Sequence, residues 1–452
     1  MDEVIPIWLV RLRQAGAVLG ALAAIAIVFW PRPVIQHRPD RIPVRFWHMW
    51  TAEWEVVVKG IADDFNKSQD KYEVIPLSVP DSADSKFLLA VTGGDPPDVM
   101  AQWNPVIPTW ADGNLLRPMD DLMGPELLAR FKREAYPVAV RIGSYKNHIY
   151  GITIGINDFA IYYRPSQFRA AGLDPNRFPQ TLEELDQAAE KLNQFDKNGN
   201  LTRMGFLPTG LLGMARSFHG GFYDWKTGKV TLNTPENVKA LRYLVSRRKR
   251  LGYDNVVRYE SGLDTGSFAG GWPFMNGGYS ATIDGQWRVE QLRKFAPNLD
   301  YMTAPIPPPR GGIPMSGVGE GNFMIIPKGA KQVQGAWEFI KFWSGLEKPE
   351  RAAEYYTRGG WLPLWPAVAK APSYQKYVRK NPQYATFLKI LASPYLEPPP
   401  PVPYQVFLMD HITRAEDFAV RGVLTPEEAM RRLDDEVRTE LARRRRLGYR
   451  DE

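Results

Sequence analysis

Three short stretches set indole rings beside hydrogen-bonding side chains: Trp47-His48-Met49-Trp50, Gln102-Trp103-Asn104 and Gly220-Gly-Phe-Tyr-Asp-Trp225. An indole is a flat apolar plate, and an amide or carboxylate beside it offers two hydrogen-bonding atoms at once. Together they suit a molecule with a C–H face and a polar edge. The chain holds 14 Trp, 20 Tyr and 21 Phe, so plates are plentiful, although most aromatic rings fill core. Trp361, after Gly359-Gly360, is a further plate. Ser316 to Gly321 contains Gly317 and Gly319, where bare backbone N–H groups allow close approach. Each feature also has a plain structural use. Trp47 can pack under the next helix, Asn104 can cap one, and Trp225 can pin a hairpin.

Much chemistry is excluded. The 452 residues include no Cys, which removes disulfides, thiolate nucleophiles, cysteine metal sites and a lipidated N-terminal Cys. The five His, at 37, 48, 148, 219 and 411, show no metal-ligand spacing. No Gly-Lys-Ser/Thr follows a glycine-rich loop, and neither a nucleophile elbow nor His-Glu-x-x-His occurs. Gly317-Val-Gly319-Glu-Gly321 looks like a dinucleotide fingerprint, but Asn322 stands where the third Gly belongs. Asp196-Lys-Asn198-Gly-Asn200 starts like a calcium loop, but Leu201 and Leu207 replace the required Gly and Glu. Asp120-Asp121 and Asp434-Asp435 read as solvated helix ends. The absences argue against an enzyme, a cofactor and a metal. Carboxylates joined only by folding, as in glycoside hydrolysis, stay open. Net charge is +7, with four cations in Arg443 to Arg446, where they suit a helix C-terminus; nucleic acid is not implied.

These residues need positioning elements, and the pattern supplies them. With 44% apolar and 24% charged residues the composition is globular, and the length suggests two domains. Val44 to Trp50 reads as a strand entering a loop, Glu53 to Asn66 as a helix, Tyr72 to Leu77 as a strand, Ser85 to Val91 as a short helix and Asp98 to Trp103 as a buried strand. Such alternation argues an α/β fold with a mostly parallel sheet. In open α/β sheets ligands sit at the C-terminal strand ends, where Trp50 and Trp103 fall. Thr181, Thr234 and Thr425 open later helices with capping chemistry, and Val333 to Ser344 forms an apolar-faced helix.

Ahead of all this, Arg11 and Arg13 precede an apolar run from Ala15 to Trp30. Sixteen residues span roughly 24 Å, short of a ~30 Å hydrocarbon core. The run fits a signal h-region or an uncleaved signal anchor, with His37 to Pro43 as a tether.

The later segments carry a family pattern in order. They are Phe46-Trp-His-Met-Trp50, Gly94-Asp-Pro-Pro-Asp-Val99, Gly113-Asn-Leu-Leu-Arg-Pro-Met-Asp-Asp-Leu122, Tyr150-Gly-Ile-Thr153, Ala171-Gly-Leu-Asp-Pro175, Gly277-Gly-Tyr-Ser-Ala-Thr-Ile-Asp-Gly-Gln-Trp287, Ile326-Pro-Lys-Gly-Ala-Lys331 and Gly359-Gly-Trp-Leu-Pro363. From Val44 onward the chain resembles the extracellular solute-binding proteins of family 1, the sugar-type receptors of ABC importers. The resemblance implies a periplasmic-binding-protein-like α/β fold of two lobes joined by a hinge, with a ligand cleft between them. It places a signal or anchor segment and tether in 1–40. One lobe is then 41–156 with 288–328, and the other is 157–287 with 329–452. It implies a monomeric extracytoplasmic receptor that takes a carbohydrate or polyol to membrane permease subunits.

Under the resemblance Asn157-Asp158 fall where the chain crosses between lobes, and Trp287, after Asp284-Gly-Gln, is a stacking plate. The expected ligand contacts are His48, Trp50, Gln102, Trp103, Asn157, Asp158, Trp225, Asp284, Trp287, Gly317, Gly319 and Trp361. Arg164 stands where the family commonly has Asn. Two other readings are a membrane-anchored carbohydrate-active enzyme and a sensor or scaffold that keeps the two-lobed fold.

Overall fold

A computed structural model describes residues 38–80, 83–263 and 272–449. The expected anchor run, Ala15 to Trp30, lies outside them. Among the described residues no helix is long and apolar enough to cross a membrane.

Eight strands make the two sheets that matter: β1 (Ile42–His48), β2 (Tyr72–Ser78), β3 (Val99–Gln102), β4 (Gly151–Asn157), β5 (Phe159–Tyr163), β6 (Ala281–Gly285), β7 (Met302–Ala304) and β8 (Glu320–Ile325). The first sheet runs β2-β1-β3-β8-β4. β1 is parallel to β2 and β3, whereas β8 is antiparallel to β3 and β4. The sheet is therefore mixed rather than mostly parallel. Its parallel half is built by helical crossovers, but β8 enters from the other lobe and needs no crossover. The second sheet, β6-β5-β7, is antiparallel throughout.

The first lobe follows from its periodicities. The helix Ala52–Ser68 buries Val58, Ile61, Ala62 and Phe65, the stripe expected from 3.6-residue spacing. The helix Val333–Ser344 lies beside it, with Phe339 5.1 Å from Phe46 and 5.3 Å from Phe65, ring centre to ring centre. The second lobe has its own core, where Leu241, Leu244, Leu408, Ile412, Met430 and Leu433 meet. They come from the helices Pro235–Leu251, Gln405–Val420 and Pro426–Arg446. Thr425 closes a full capping box: its hydroxyl accepts from the Glu428 N–H at 3.2 Å, and the Glu428 carboxylate accepts from the Thr425 N–H at 2.8 Å.

The lobe boundaries differ from the sequence-based division in two places. Val333–Ser344 was assigned to the second lobe but packs on the first sheet. Met302–Ala304 was assigned to the first lobe but is β7 of the second sheet, where the Thr303 hydroxyl donates to the Gln383 carbonyl at 2.8 Å. The reason is the number of crossings. The chain passes from β4 to β5 through Asp158 alone, returns between β7 and β8, and leaves again only after Leu362. There the Ile156 N–H donates to the Leu362 carbonyl at 2.9 Å.

Candidate functional site

The hinge sets the floor of the site. Asn157 ends β4, and its Oδ1 accepts from Gln286 Nε2 at 2.8 Å, tying the two sheets together. Asp158 is fully buried, and neither carboxyl oxygen has a partner among the described residues. Burial pushes its pKa well above the usual carboxylate range. Asp284 on β6 is paired with Arg288, Nε to Oδ2 at 2.8 Å, and its Oδ1 accepts from the Gly285 N–H at 2.8 Å. Burial still raises its pKa against the pull of Arg288. Trp287 opens the helix Trp287–Phe295, is half-buried, and meets Phe159 edge-to-face at 5.8 Å. Gly285 permits this: a Cβ there would fall 2.0 Å from the indole, so only glycine lets the ring fold back over the strand end.

On the first lobe the expected contacts separate. His48, Trp50 and Trp361 are 0%, 7% and 3% exposed. Trp50 stacks on Trp343 at 5.8 Å, and Trp361 lies 5.6 Å from both. His48 lies 6.1 Å from Trp50, and burial lowers its pKa to about 4, which leaves it uncharged. All three are expected at a ligand; here they are buried, with Trp343 of Val333–Ser344 packed against Trp50 and Trp361. Gln102 is also buried. Its Oε1 accepts from the backbone N–H groups of Trp103, at 2.7 Å, and Asn104, at 3.0 Å, while its amide donates to Asp84. Gln102 thus braces the loop that presents Trp103. Trp103 is 38% exposed and leans edge-on against Trp50 at 6.3 Å.

On the second lobe Trp225 sits at the turn of a hairpin, Tyr223–Asp224 against Lys229–Val230, and is half-buried. Its indole N–H donates to Glu397, which also lies 3.5 Å from Arg216 Nε. Gly317 and Gly319 do not offer free N–H groups. They donate to the carbonyls of Tyr395, at 3.4 Å, and Glu397, at 2.9 Å. A Cβ on Gly319 would come 2.6 Å from Val138 Cγ2, so its bareness serves packing.

The lobes meet along a seam that no motif in the sequence marks. Arg141, from the first lobe, lays its guanidinium 4.4 Å over the Trp225 ring of the second. Beside it a recess of about 30 Å³ is lined by Trp103, Ile142, Glu320, Pro398, Pro399 and Gln405, among others. A second, of about 20 Å³, lies under Trp225, Gly317, Val318 and Pro400. Each has room for a water or two, far less than an occupied small-molecule site. A solute enters here only if the lobes part. Glu320 has its pKa raised by burial. The proline cluster at 398–403 is a mark in the sequence, but nothing local ties it to Trp103. Arg141 and Glu320 carried no such mark. Among the described residues no group of His, Asp and Glu is placed to hold a metal.

A family profile of bacterial extracellular solute-binding proteins matches residues 60–386. The chain belongs to this family. It is 22% identical over 356 residues to the sn-glycerol-3-phosphate-binding periplasmic protein of Salmonella typhimurium, covering 75% of this chain and 78% of that one. It is 21% identical to the maltotriose-binding protein of Pyrococcus abyssi, covering 79% and 73%. Mannotriose-bound CpMnBP1 superposes with a TM-score of 0.77 at 27% identity, over 87% of this chain and 99% of that one. The sugar-binding protein MalE of Xanthomonas citri superposes at 0.70 with 23% identity, over 90% and 99%. This solute-binding protein therefore has the two-lobed fold of its structural relatives, with Asn157-Asp158 at a crossing between lobes and the seam between facing walls.

Proposed function

We propose that this solute-binding protein captures a carbohydrate or related polyol between its lobes, outside the cytoplasm, and passes it unaltered to the permease of an ABC importer. One observation carries the reading: indole rings from both lobes, Trp103 and Trp225, flank a single seam that also holds Glu320 and Arg141. Such rings suit the C–H face of a sugar, and the charged groups suit its hydroxyls. Relatives named for maltotriose and sn-glycerol-3-phosphate, and a neighbour holding mannotriose, point to the same class. Closure is a hinge motion, favoured by a ligand that touches both walls.

Calorimetry on the detergent-solubilised full chain tests this, with mono-, di- and trisaccharides, polyols and glycerol phosphates as titrants. Saturable binding of one class, with recovery of unchanged ligand, is the expected result. Chemical conversion of the ligand, or silence across the whole set, would remove the reading. The proposed anchor predicts that the protein sediments with membranes; a soluble form starting after Ala26 would show cleavage instead.

A further inference from the structure

We propose that the seam opens outward into a second subsite, which holds an anionic unit of an oligosaccharide. The proposal rests on the carbohydrate-receptor reading and narrows it. A groove of about 520 Å³ runs between the lobes, lined by Lys132, Arg141, Tyr145 and Lys146 on one side and Tyr223 and Trp225 on the other. It shares Arg141 with the recess beside Trp103 and Trp225 with the recess beside Gly317, so it continues the same seam. Unlike those recesses it is open and wide enough for a sugar unit.

Its charge is one-sided, with three cations and no Asp or Glu among the lining residues. The nearby carboxylates are already engaged. Asp112 is shared by Lys146 Nζ and Arg444 Nη2, both at 3.3 Å, and by the Tyr145 hydroxyl at 3.0 Å. Glu397 is held by Arg216 and the Trp225 indole N–H, and it also feels the charge of Arg141. Among the described residues the Lys132 ammonium makes only a 3.5 Å contact with the Asn147 carbonyl. Arg141 Cζ lies 4.4 Å over the Trp225 ring, a contact that uses up none of the guanidinium N–H groups, and two of these can grip a carboxylate or phosphate together. Tyr223, 5.0 Å from Trp225, extends the aromatic wall along which the sugar ring would lie. Any anion carried on a sugar would serve: the carboxylate of a uronic acid or a phosphate ester.

The test is calorimetry on the full chain with mannotriose and maltotriose, each in neutral, uronate-ended and phosphate-ended form. At low salt one charged form should bind about tenfold or more tightly than its neutral parent, and which one tells carboxylate from phosphate. That ratio should shrink severalfold in Lys132→Gln and further in the Lys132→Gln, Arg141→Gln double variant, with melting curves confirming that both fold. Arg141→Lys should keep part of it, since charge survives without the fork. Equal binding of neutral and charged forms would overturn the anionic subsite and leave the receptor reading standing. A preference untouched by the double variant would do the same. Failure of every probe to bind would overturn both.

Discussion

Two groups of tryptophans differ sharply in what surrounds them. Trp50, Trp343 and Trp361 close on one another at 5.6–5.8 Å and are almost wholly buried. Trp103 and Trp225 come from opposite lobes and keep open ring surface at the seam. Trp50 and Trp103 touch edge-on at 6.3 Å, so the boundary between core and wall falls between adjacent rings. What separates the groups is a third partner. The helix Val333–Ser344 delivers Trp343 onto Trp50 and Trp361, and among the described residues no helix does so for Trp103. An indole beside a polar residue is thus free to serve as the proposed binding plate only where no helix covers it.

The contrast breaks most visibly in stability. Trp361→Ala should lose about 3–5 kcal/mol of unfolding free energy, the usual result of emptying a large core site. Trp225→Ala should lose about 1 kcal/mol or less, as a partly exposed ring does. Urea unfolding of both variants measures the difference. If Trp361→Ala kept full stability while abolishing ligand binding, the assignment of Trp361 to the core would be wrong.

Titration separates two buried ionisable groups, His48 and Asp158. His48 has a folded pKa of about 4 against 6.5 for a free imidazole. The unfolded chain takes up a proton first, so its contribution is whole above pH 6.5 and is lost as pH falls toward 4. A shift of that size is worth up to about 3 kcal/mol. His48→Gln should flatten that part of a melting-temperature profile against pH; an unchanged slope would mean the imidazole is solvated. Asp158 has the opposite sign. Its folded pKa is raised, so the unfolded chain releases its proton first and stability declines as pH rises above 3.8. Asp158→Asn should therefore raise the melting temperature at neutral pH. A drop would mean that the carboxylate is paired.

How far all this was readable in advance depended on distance along the chain. Local patterns carried well: the helix read over Glu53 to Asn66 buries Val58, Ile61, Ala62 and Phe65, and Thr181, Thr234 and Thr425 cap the helices they open. The resemblance supplied the two lobes and the Asn157-Asp158 crossing. What failed was long-range. The apolar face of Val333–Ser344 announced that it would be covered but not by which sheet, so the helix was put in the wrong lobe. Gly319 looked like an open donor because its neighbour Leu396 lies 77 positions away in sequence. Arg141 and Glu320 sit in no motif; only the meeting of lobes gives them a role.

On the seam side, Trp103→Ala should weaken solute binding by about 1–3 kcal/mol with little change in unfolding, the pattern of an aromatic anchor. Calorimetry and melting on one preparation separate the two effects, and equal losses in both would merge Trp103 with the core group. The smallest effect belongs to Arg141. Its stack on Trp225 is partly exposed, so Arg141→Gln should cost only about 0.5–1 kcal/mol of stability. Yet the contact joins the lobes, and its loss should ease their separation. Small-angle scattering of the ligand-free variant would then show a larger radius of gyration than the parent. An unchanged radius would mean that Arg444 with Asp112, a second pair across the seam at 3.3 Å, holds the lobes together without it.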